Sequence, residues 1–127
     1  MNNRLNGKRF ETILKRKLIA NGFRVLKLAI PETADLILLN FEPILIECKV
    51  TRNKIWYRLN NNQFYRLKKY AQDGYKVYIA IKFTKFNSII KFFKLDDEYP
   101  FGVDSGITLK KFTENLKVIS KKKEDEF

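Results

Sequence analysis

Three charged side chains interrupt two of the most apolar stretches of the chain. Asp35 lies in residues 34–40, and Glu47 and Lys49 lie two residues apart in residues 44–50. An unpaired charge among buried side chains destabilises a protein, so these residues are candidates for a functional role. Two carboxylates can hold a hard cation such as Mg²⁺ through oxygen, and a neighbouring lysine can stabilise negative charge on a phosphoryl group. The three residue types therefore favour metal-dependent hydrolysis of a phosphodiester.

The absence of histidine narrows the chemistry further. The chain contains no histidine, which excludes mechanisms in which an imidazole is the base, the acid or a metal ligand, including hydrolytic triads. An enzyme of this composition works with carboxylates, lysine and a metal. For that metal we expect Mg²⁺, with Mn²⁺ able to substitute.

The composition points to a nucleic-acid partner. Lysine and arginine number 26 against 14 aspartate and glutamate, a formal charge of +12, and such a charge attracts polyanions. No apolar run approaches the roughly 20 residues that span a bilayer, and no lipidation signal is evident. Cys48 is the only cysteine, and Met1 opens into polar sequence rather than an apolar signal core. We therefore expect a cytoplasmic, intracellular protein that binds DNA and no membrane.

The spacing of apolar residues predicts eight elements in the order α-βββ-α-ββ-α. A helix is expected over residues 5–21, where Gly22 stops it, a second over residues 61–73, and a third that Thr108 caps. Runs of β-branched and aliphatic residues predict strands over residues 23–29, 34–40, 44–50, 77–83 and 89–95. This order predicts an α/β fold.

The length and the C-terminal composition predict the domain organisation. A chain of 127 residues is long enough for one core and too short for two. We expect a single domain over residues 1–120. The charged segment 121–127 has little to bury, and we predict that it is a disordered tail.

The predicted strands bring the three charged residues together. If the second and third strands form a hairpin, Asp35 meets Glu47 and Lys49, which share one face because side chains alternate along a strand. Leu45 should share that face, whereas Cys48 and the other even-numbered residues of the third strand should point into the core. The alternative is a common one: Glu-x-Lys on a strand is often only an exposed ion pair.

The arrangement of Asp35 with Glu47-Cys48-Lys49 resembles the signature of the PD-(D/E)xK nuclease superfamily, with Ala34 where that signature has proline. The resemblance implies a restriction-endonuclease-like fold, in which helices flank a mixed central β-sheet. It also implies that Asp35 and Glu47 hold Mg²⁺ with the backbone carbonyl of Cys48, and that Lys49 orients the attacking water.

A closer resemblance extends over nearly the whole chain and is to the archaeal-type Holliday-junction resolvases. It rests on the segments Gly7-Lys8-Arg9-Phe10-Glu11, Asn21-Gly22-Phe23-Arg24-Val25, Ala34-Asp35-Leu36-Ile37, Ile46-Glu47-Cys48-Lys49-Val50-Thr51, Tyr78-Ile79-Ala80-Ile81-Lys82-Phe83 and Asp104-Ser105-Gly106-Ile107-Thr108-Leu109. The likeness implies that Glu11 is a fourth active-site residue, near the metal or its water. It further implies a homodimer that makes paired nicks in a four-way DNA junction.

Two positions depart from that family. Many relatives carry serine and glycine in the loop after the first strand, where this chain has Ile30-Pro31-Glu32-Thr33. Thr33 can still supply a hydroxyl. A basic residue late in the first strand is Lys27 here, which lacks the bidentate fork of an arginine.

Further residues are candidates for binding DNA or a second copy. The predicted DNA contacts are Lys8, Arg9, Lys27, Thr33, Arg52, Lys54, Arg58 and Gln63. Of these, Gln63 is expected against the active site, with simple solvation as the alternative. The predicted dimer interface is Phe64, Leu67 and Tyr70, which could instead pack on the sheet.

Two other functions remain open at this point. One is a related PD-(D/E)xK nuclease that cuts duplex, flap or single-stranded DNA. The other is a non-catalytic basic DNA-binding module in which the acidic residues only support the structure.

Overall fold

A computed structural model describes residues 3–29, 34–40, 42–57, 61–95 and 100–125. The helices are α1 (Asn3–Ala20), α2 (Asn61–Gln72) and α3 (Leu109–Asp125). The strands are β1 (Val25–Lys27), β2 (Leu36–Leu39), β3 (Pro43–Thr51), β4 (Ile55–Trp56), β5 (Lys76–Phe83), β6 (Ile89–Lys94), β7 (Phe101–Gly102) and β8 (Ile107–Thr108).

Six of these strands form one mixed sheet in the order β1-β2-β3-β5-β6-β8. The pairing of β3 with β5 is parallel, and the other four pairings are antiparallel. The parallel pair is joined by a crossover that contains α2, as a parallel connection requires. The predicted α/β fold with a mixed central sheet is therefore confirmed, and β3 lies near the middle of the sheet.

Apolar side chains cover both faces of the sheet. On one face, Phe10 of α1 and Phe112 of α3 pack with Ile46 and Cys48 of β3. On the other face, Leu67 of α2 packs in a second cluster that includes Leu45 and Ile79. The predicted alternation along β3 is confirmed, but its two faces are both buried, which is usual for a strand in parallel pairing. None of the described helices is long and apolar enough to cross a membrane.

The long elements lie close to their predicted positions, and three short strands were not predicted. These are β4, β7 and β8, of two residues each. The predicted cap of α3 is present, because the Oγ1 atom of Thr108 accepts a hydrogen bond of 3.2 Å from the backbone N–H of Lys111.

The charged C-terminal segment continues α3. This helix runs to Asp125, so the prediction of disorder from Lys121 is wrong for residues 121–125, while residues 126–127 lie outside the described part of the chain. Lysine and glutamate favour a helix, and α3 contains no glycine or proline that would stop it.

Candidate active site

The hairpin of β2 and β3 places Asp35 beside Glu47. Leu36 lies opposite Ile46 in the antiparallel register, so the residue before Leu36 and the residue after Ile46 are neighbours. The Asp35 backbone N–H donates to the Ile46 carbonyl at 3.1 Å. Its side-chain Oδ2 atom accepts a hydrogen bond of 2.8 Å from the backbone N–H of Cys48. Backbone contacts therefore fix both the position and the orientation of the Asp35 carboxylate.

Glu47 is a buried carboxylate whose two oxygens differ in their contacts. The residue is only 3% exposed. Its Oε1 atom accepts a hydrogen bond of 2.9 Å from the Gln63 side-chain amide and lies 3.5 Å from the Lys49 ammonium. No described residue donates a hydrogen bond to the buried Oε2 atom. Burial raises the pKa of Glu47 to about 8, and the nearby Asp35 charge adds to this while Lys49 opposes it.

Glu11 brings a third carboxylate from α1. Its Oε2 atom lies 3.5 Å from the Lys27 ammonium of β1. Burial raises the pKa of Glu11, and the charge of Asp35 raises it further, while Lys27 lowers it. Asp35 is thus close enough to influence both glutamates. The structure brings together the four residues that the sequence selected as catalytic, namely Glu11, Asp35, Glu47 and Lys49.

The donor set suits a cation that keeps part of its water shell. Within the described ranges, no three Asp, Glu, His or Cys side chains form a ready-made metal cage. Mg²⁺ rarely has such a cage, since one or two carboxylates, waters and substrate phosphate usually complete its shell. The Oε2 atom of Glu47 is buried, and no described residue donates a hydrogen bond to it. A cation bound there would take the place of the proton that the raised pKa keeps on this carboxyl beside Asp35, and would let both carboxylates stay charged.

The chain matches the sequence profile of the archaeal Holliday junction resolvase (Hjc) family over residues 2–123. The chain belongs to the Hjc family. It is therefore a structure-selective nuclease that resolves Holliday junctions. A search of curated protein sequences gave no significant match.

The structure is similar to that of Archaeoglobus fulgidus Hjc, described as a Holliday junction resolvase from an archaeal hyperthermophile. The TM-score is 0.69 at 23% sequence identity, and the match covers 86% of this chain and 96% of that one. At this identity the similarity shows that the two chains share the Hjc fold.

The six predicted DNA contacts that the structure describes fall into three groups. Lys8, Arg9 and Arg52 are exposed. Two lysines have acidic partners: Lys27 pairs with Glu11, and the Lys54 ammonium lies 3.3 Å from Asp104. Gln63 contacts Glu47 rather than solvent alone. Thr33 and Arg58 lie outside the described residues.

The predicted dimer surface needs one correction. Leu67 is 2% exposed and belongs to the core beneath α2, so its assignment to an interface is wrong. Tyr70 is half-buried against the same core and packs edge-to-face on Tyr75. Phe64 is 40% exposed and remains available to a partner. Helical spacing placed these residues on one stripe but could not show which part of it meets the sheet.

The sequence did not reveal an apolar groove between α2 and α3. The groove has a volume of about 860 Å³, and its lining includes Phe64, Tyr75, Val118 and Ile119. All four side chains are more than one third exposed. A signal was present, because Val118 and Ile119 are an apolar pair within the otherwise polar second half of α3.

Proposed function

We propose that this Hjc-family chain cleaves four-way junctions with Mg²⁺ held by Asp35 and Glu47, and that it works as a homodimer. The backbone carbonyl of Cys48 is the third proposed ligand, and Glu11 is placed to contact the metal or its water. Mn²⁺ should replace Mg²⁺, since both prefer oxygen ligands.

The observation that carries the proposal is the buried carboxylate of Glu47. Its Oε2 atom accepts no hydrogen bond from the described residues, and it lies beside Asp35 in a chain with a formal charge of +12. Without a metal, this carboxyl must hold a proton to lie buried beside Asp35, as its raised pKa shows. A bound cation would take the place of that proton and let both carboxylates stay charged.

The side chains divide the chemistry of phosphodiester hydrolysis among them. When bound, the cation would supply Lewis-acid stabilisation of the phosphoryl oxygens and lower the pKa of water. Lys49 can orient the attacking water and place its positive charge against the developing negative charge. The backbone N–H of Cys48 holds Asp35 in place. Lys27 keeps Glu11 at the edge of the site.

The twofold symmetry of a four-way junction favours two copies of this chain. Paired nicks require two active sites, and the described residues form a single carboxylate cluster. We place the interface at the groove between α2 and α3, because its exposed aromatic and aliphatic residues can form the apolar centre of a self-complementary contact. Of the residues that the sequence predicted for the dimer interface, Phe64 lies in this groove.

Cleavage of defined substrates tests the function. The purified chain is incubated with a labelled four-way junction, a matched linear duplex, a flap and a single strand, each with Mg²⁺, Mn²⁺ or a chelator. We expect paired nicks in the junction with either metal and none in chelator. Equal cleavage of the duplex would favour a nuclease without junction selectivity, and no cleavage of any DNA would favour a binding module.

Sedimentation of groove variants tests the dimer. Val118→Glu and Ile119→Glu should shift the chain towards monomer at micromolar concentration, because each buries a charge in the apolar centre. Ala20→Glu, which makes the same charge change on an exposed position of α1, should leave the dimer intact. A wild-type monomer that still makes paired nicks would contradict the assembly.

A further inference from the structure

Gln63 connects α2 directly to the buried carboxylate of the site. Its side-chain amide donates to the Oε1 atom of Glu47 at 2.9 Å, across 16 residues of sequence. The side chain is half-buried. One turn further along the helix, Leu67 is fixed in the core on the same side of the sheet. The position of Gln63 over Glu47 is therefore set by packed structure.

The contacts of Glu47 are directional. Gln63 and Lys49 both approach Oε1, at 2.9 and 3.5 Å, while Oε2 receives no hydrogen bond from the part of the chain that the structure describes. The two oxygens of a carboxylate are chemically equivalent, so this contact fixes the plane of the carboxylate rather than the identity of an oxygen. One oxygen is held at the amide, and the other is directed away from it. Lys49 does this less firmly, because its distance is longer and its side chain is 26% exposed.

A neutral donor suits this position better than a second cation. An amide orients a carboxylate and leaves its negative charge intact, so the carboxylate can still attract Mg²⁺. A lysine or arginine would instead neutralise Glu47 and compete with the metal. Hydrogen-bonding partners of metal ligands orient those ligands in this way in many metal sites.

We propose that Gln63 is a positioning residue that holds Glu47 so that its Oε2 atom faces the metal, and that it is not primarily a DNA contact. The inference rests on the proposed metal-dependent function. It adds that the metal affinity of the site depends on α2, the helix that also carries Phe64 into the groove.

Metal binding without DNA is the direct test. Mn²⁺ alone is titrated into the full chain, and the concentration of free Mn²⁺ is measured by electron paramagnetic resonance. Gln63→Met removes the donor at similar side-chain length, and Gln63→Asn keeps an amide that is one methylene too short. Both should weaken Mn²⁺ binding by about 10- to 100-fold, the usual effect of removing such a partner. Circular dichroism confirms that each variant is folded.

Asn62→Met is the matched control. Asn62 is an exposed residue on the same turn of α2, so the same amide-to-thioether change there should leave Mn²⁺ affinity within about twofold of wild type, as expected of a surface substitution. For Gln63→Met, cleavage of bound junction should slow, and junction affinity measured in chelator should stay unchanged. Higher Mn²⁺ concentration should recover much of the cleavage rate.

Three results would overturn the inference, and they differ from one another. Wild-type Mn²⁺ affinity in both folded Gln63 variants would remove the positioning role and leave the proposed metal centre standing. Weaker junction binding with unchanged Mn²⁺ affinity would make Gln63 a DNA contact. Failure of the wild type to bind Mn²⁺ or cut DNA would instead refute the proposed function itself, and the role of Gln63 with it.

Discussion

At the scale of single residues, the site concentrates carboxyl groups in a place that solvent hardly reaches. Glu47 is nearly inaccessible, Asp35 lies beside it, and Glu11 of α1 lies close to Asp35. Only Lys49 and Lys27 oppose the charge of these groups within the described site. An arrangement of this kind destabilises the metal-free chain, and active sites often carry such a cost.

The burial of the Glu47 carboxyl predicts that the stability of the metal-free chain depends on pH. The pKa of Glu47 rises from 4.5 to about 8 on folding, so between these values the folded chain binds more protons than the unfolded chain. The free energy of unfolding should then fall as pH rises through this window. Glu47→Gln removes this titration. In chelator, the Tm of the variant should therefore exceed that of wild type by a few degrees at pH 8 but not at pH 4.5.

Thermal denaturation followed by circular dichroism from pH 4.5 to 8.5 measures this difference. Glu114→Gln is the control, since it removes an exposed carboxylate from α3 and should run parallel to wild type. Parallel curves for Glu47→Gln and wild type would show that Glu47 does not titrate in this range.

Lys49 should act in catalysis more than in binding. Lys49→Met removes the ammonium beside Glu47 and keeps most of the side-chain length. Loss of one such electrostatic group typically lowers the rate by about 10²- to 10³-fold. We expect that reduction in single-turnover cleavage of a saturated junction, with junction affinity within about threefold of wild type because one phosphate-facing charge contributes little to it. The exposed Lys110, changed to Met, serves as control. A pure loss of affinity would make Lys49 a DNA contact.

At the scale of elements, α2 serves the core and the site with one face and the groove with another. Leu67 packs into the sheet, Gln63 reaches Glu47, and Phe64 lines the groove. The parallel pairing of β3 with β5 explains why α2 is there, because the connection between them must cross over the sheet. The same crossover thus closes the core and reaches the catalytic strand.

Leu67 and Phe64 of α2 should contribute unequally to the free energy of unfolding. Leu67→Ala removes a buried side chain that is 2% exposed and should lower the free energy of unfolding by about 2–5 kcal/mol. Phe64→Ala changes a side chain at the groove and should cost about 1 kcal/mol or less in the monomer. Urea denaturation at low protein concentration compares them. A larger loss for Phe64 would contradict the assignment of their faces.

The sequence predicted the elements that carry a repeating pattern. The central strands were recognisable from their apolar runs, and Asp35, Glu47 and Lys49 were recognisable as charges within those runs. Two-residue strands such as β4 show no period, since they are defined by the partner with which they pair. The bond from Gln63 to Glu47 could not be predicted with its geometry, because it depends on how α2 packs on the sheet.

At the scale of the whole molecule, a basic surface surrounds an acidic site. The formal charge is +12, and exposed basic residues lie on α1 and after β3, among them Lys8, Arg9 and Arg52. Such a charge attracts DNA, whereas the carboxylates can act on a phosphate only together with a metal. Affinity and catalysis are therefore separable properties of this chain.

Junction affinity should depend steeply on salt. Each phosphate neutralised by lysine or arginine contributes about −0.9 to the slope of log affinity against log salt. With several such contacts we expect a slope of about −4 or steeper, measured by fluorescence anisotropy in chelator between about 50 and 200 mM salt. A flat dependence would contradict a DNA surface built mainly from charge.

The most direct measurement compares Glu47→Gln with wild type on one labelled four-way junction in Mg²⁺. The variant keeps the shape of the side chain and removes its charge, so it should bind the junction at least as tightly as wild type, since a negative charge near the phosphates is lost. Cleavage should fall by at least about 10³-fold, as expected when a metal-ligand carboxylate is removed. Cleavage near the wild-type rate would contradict a metal centre at Asp35 and Glu47.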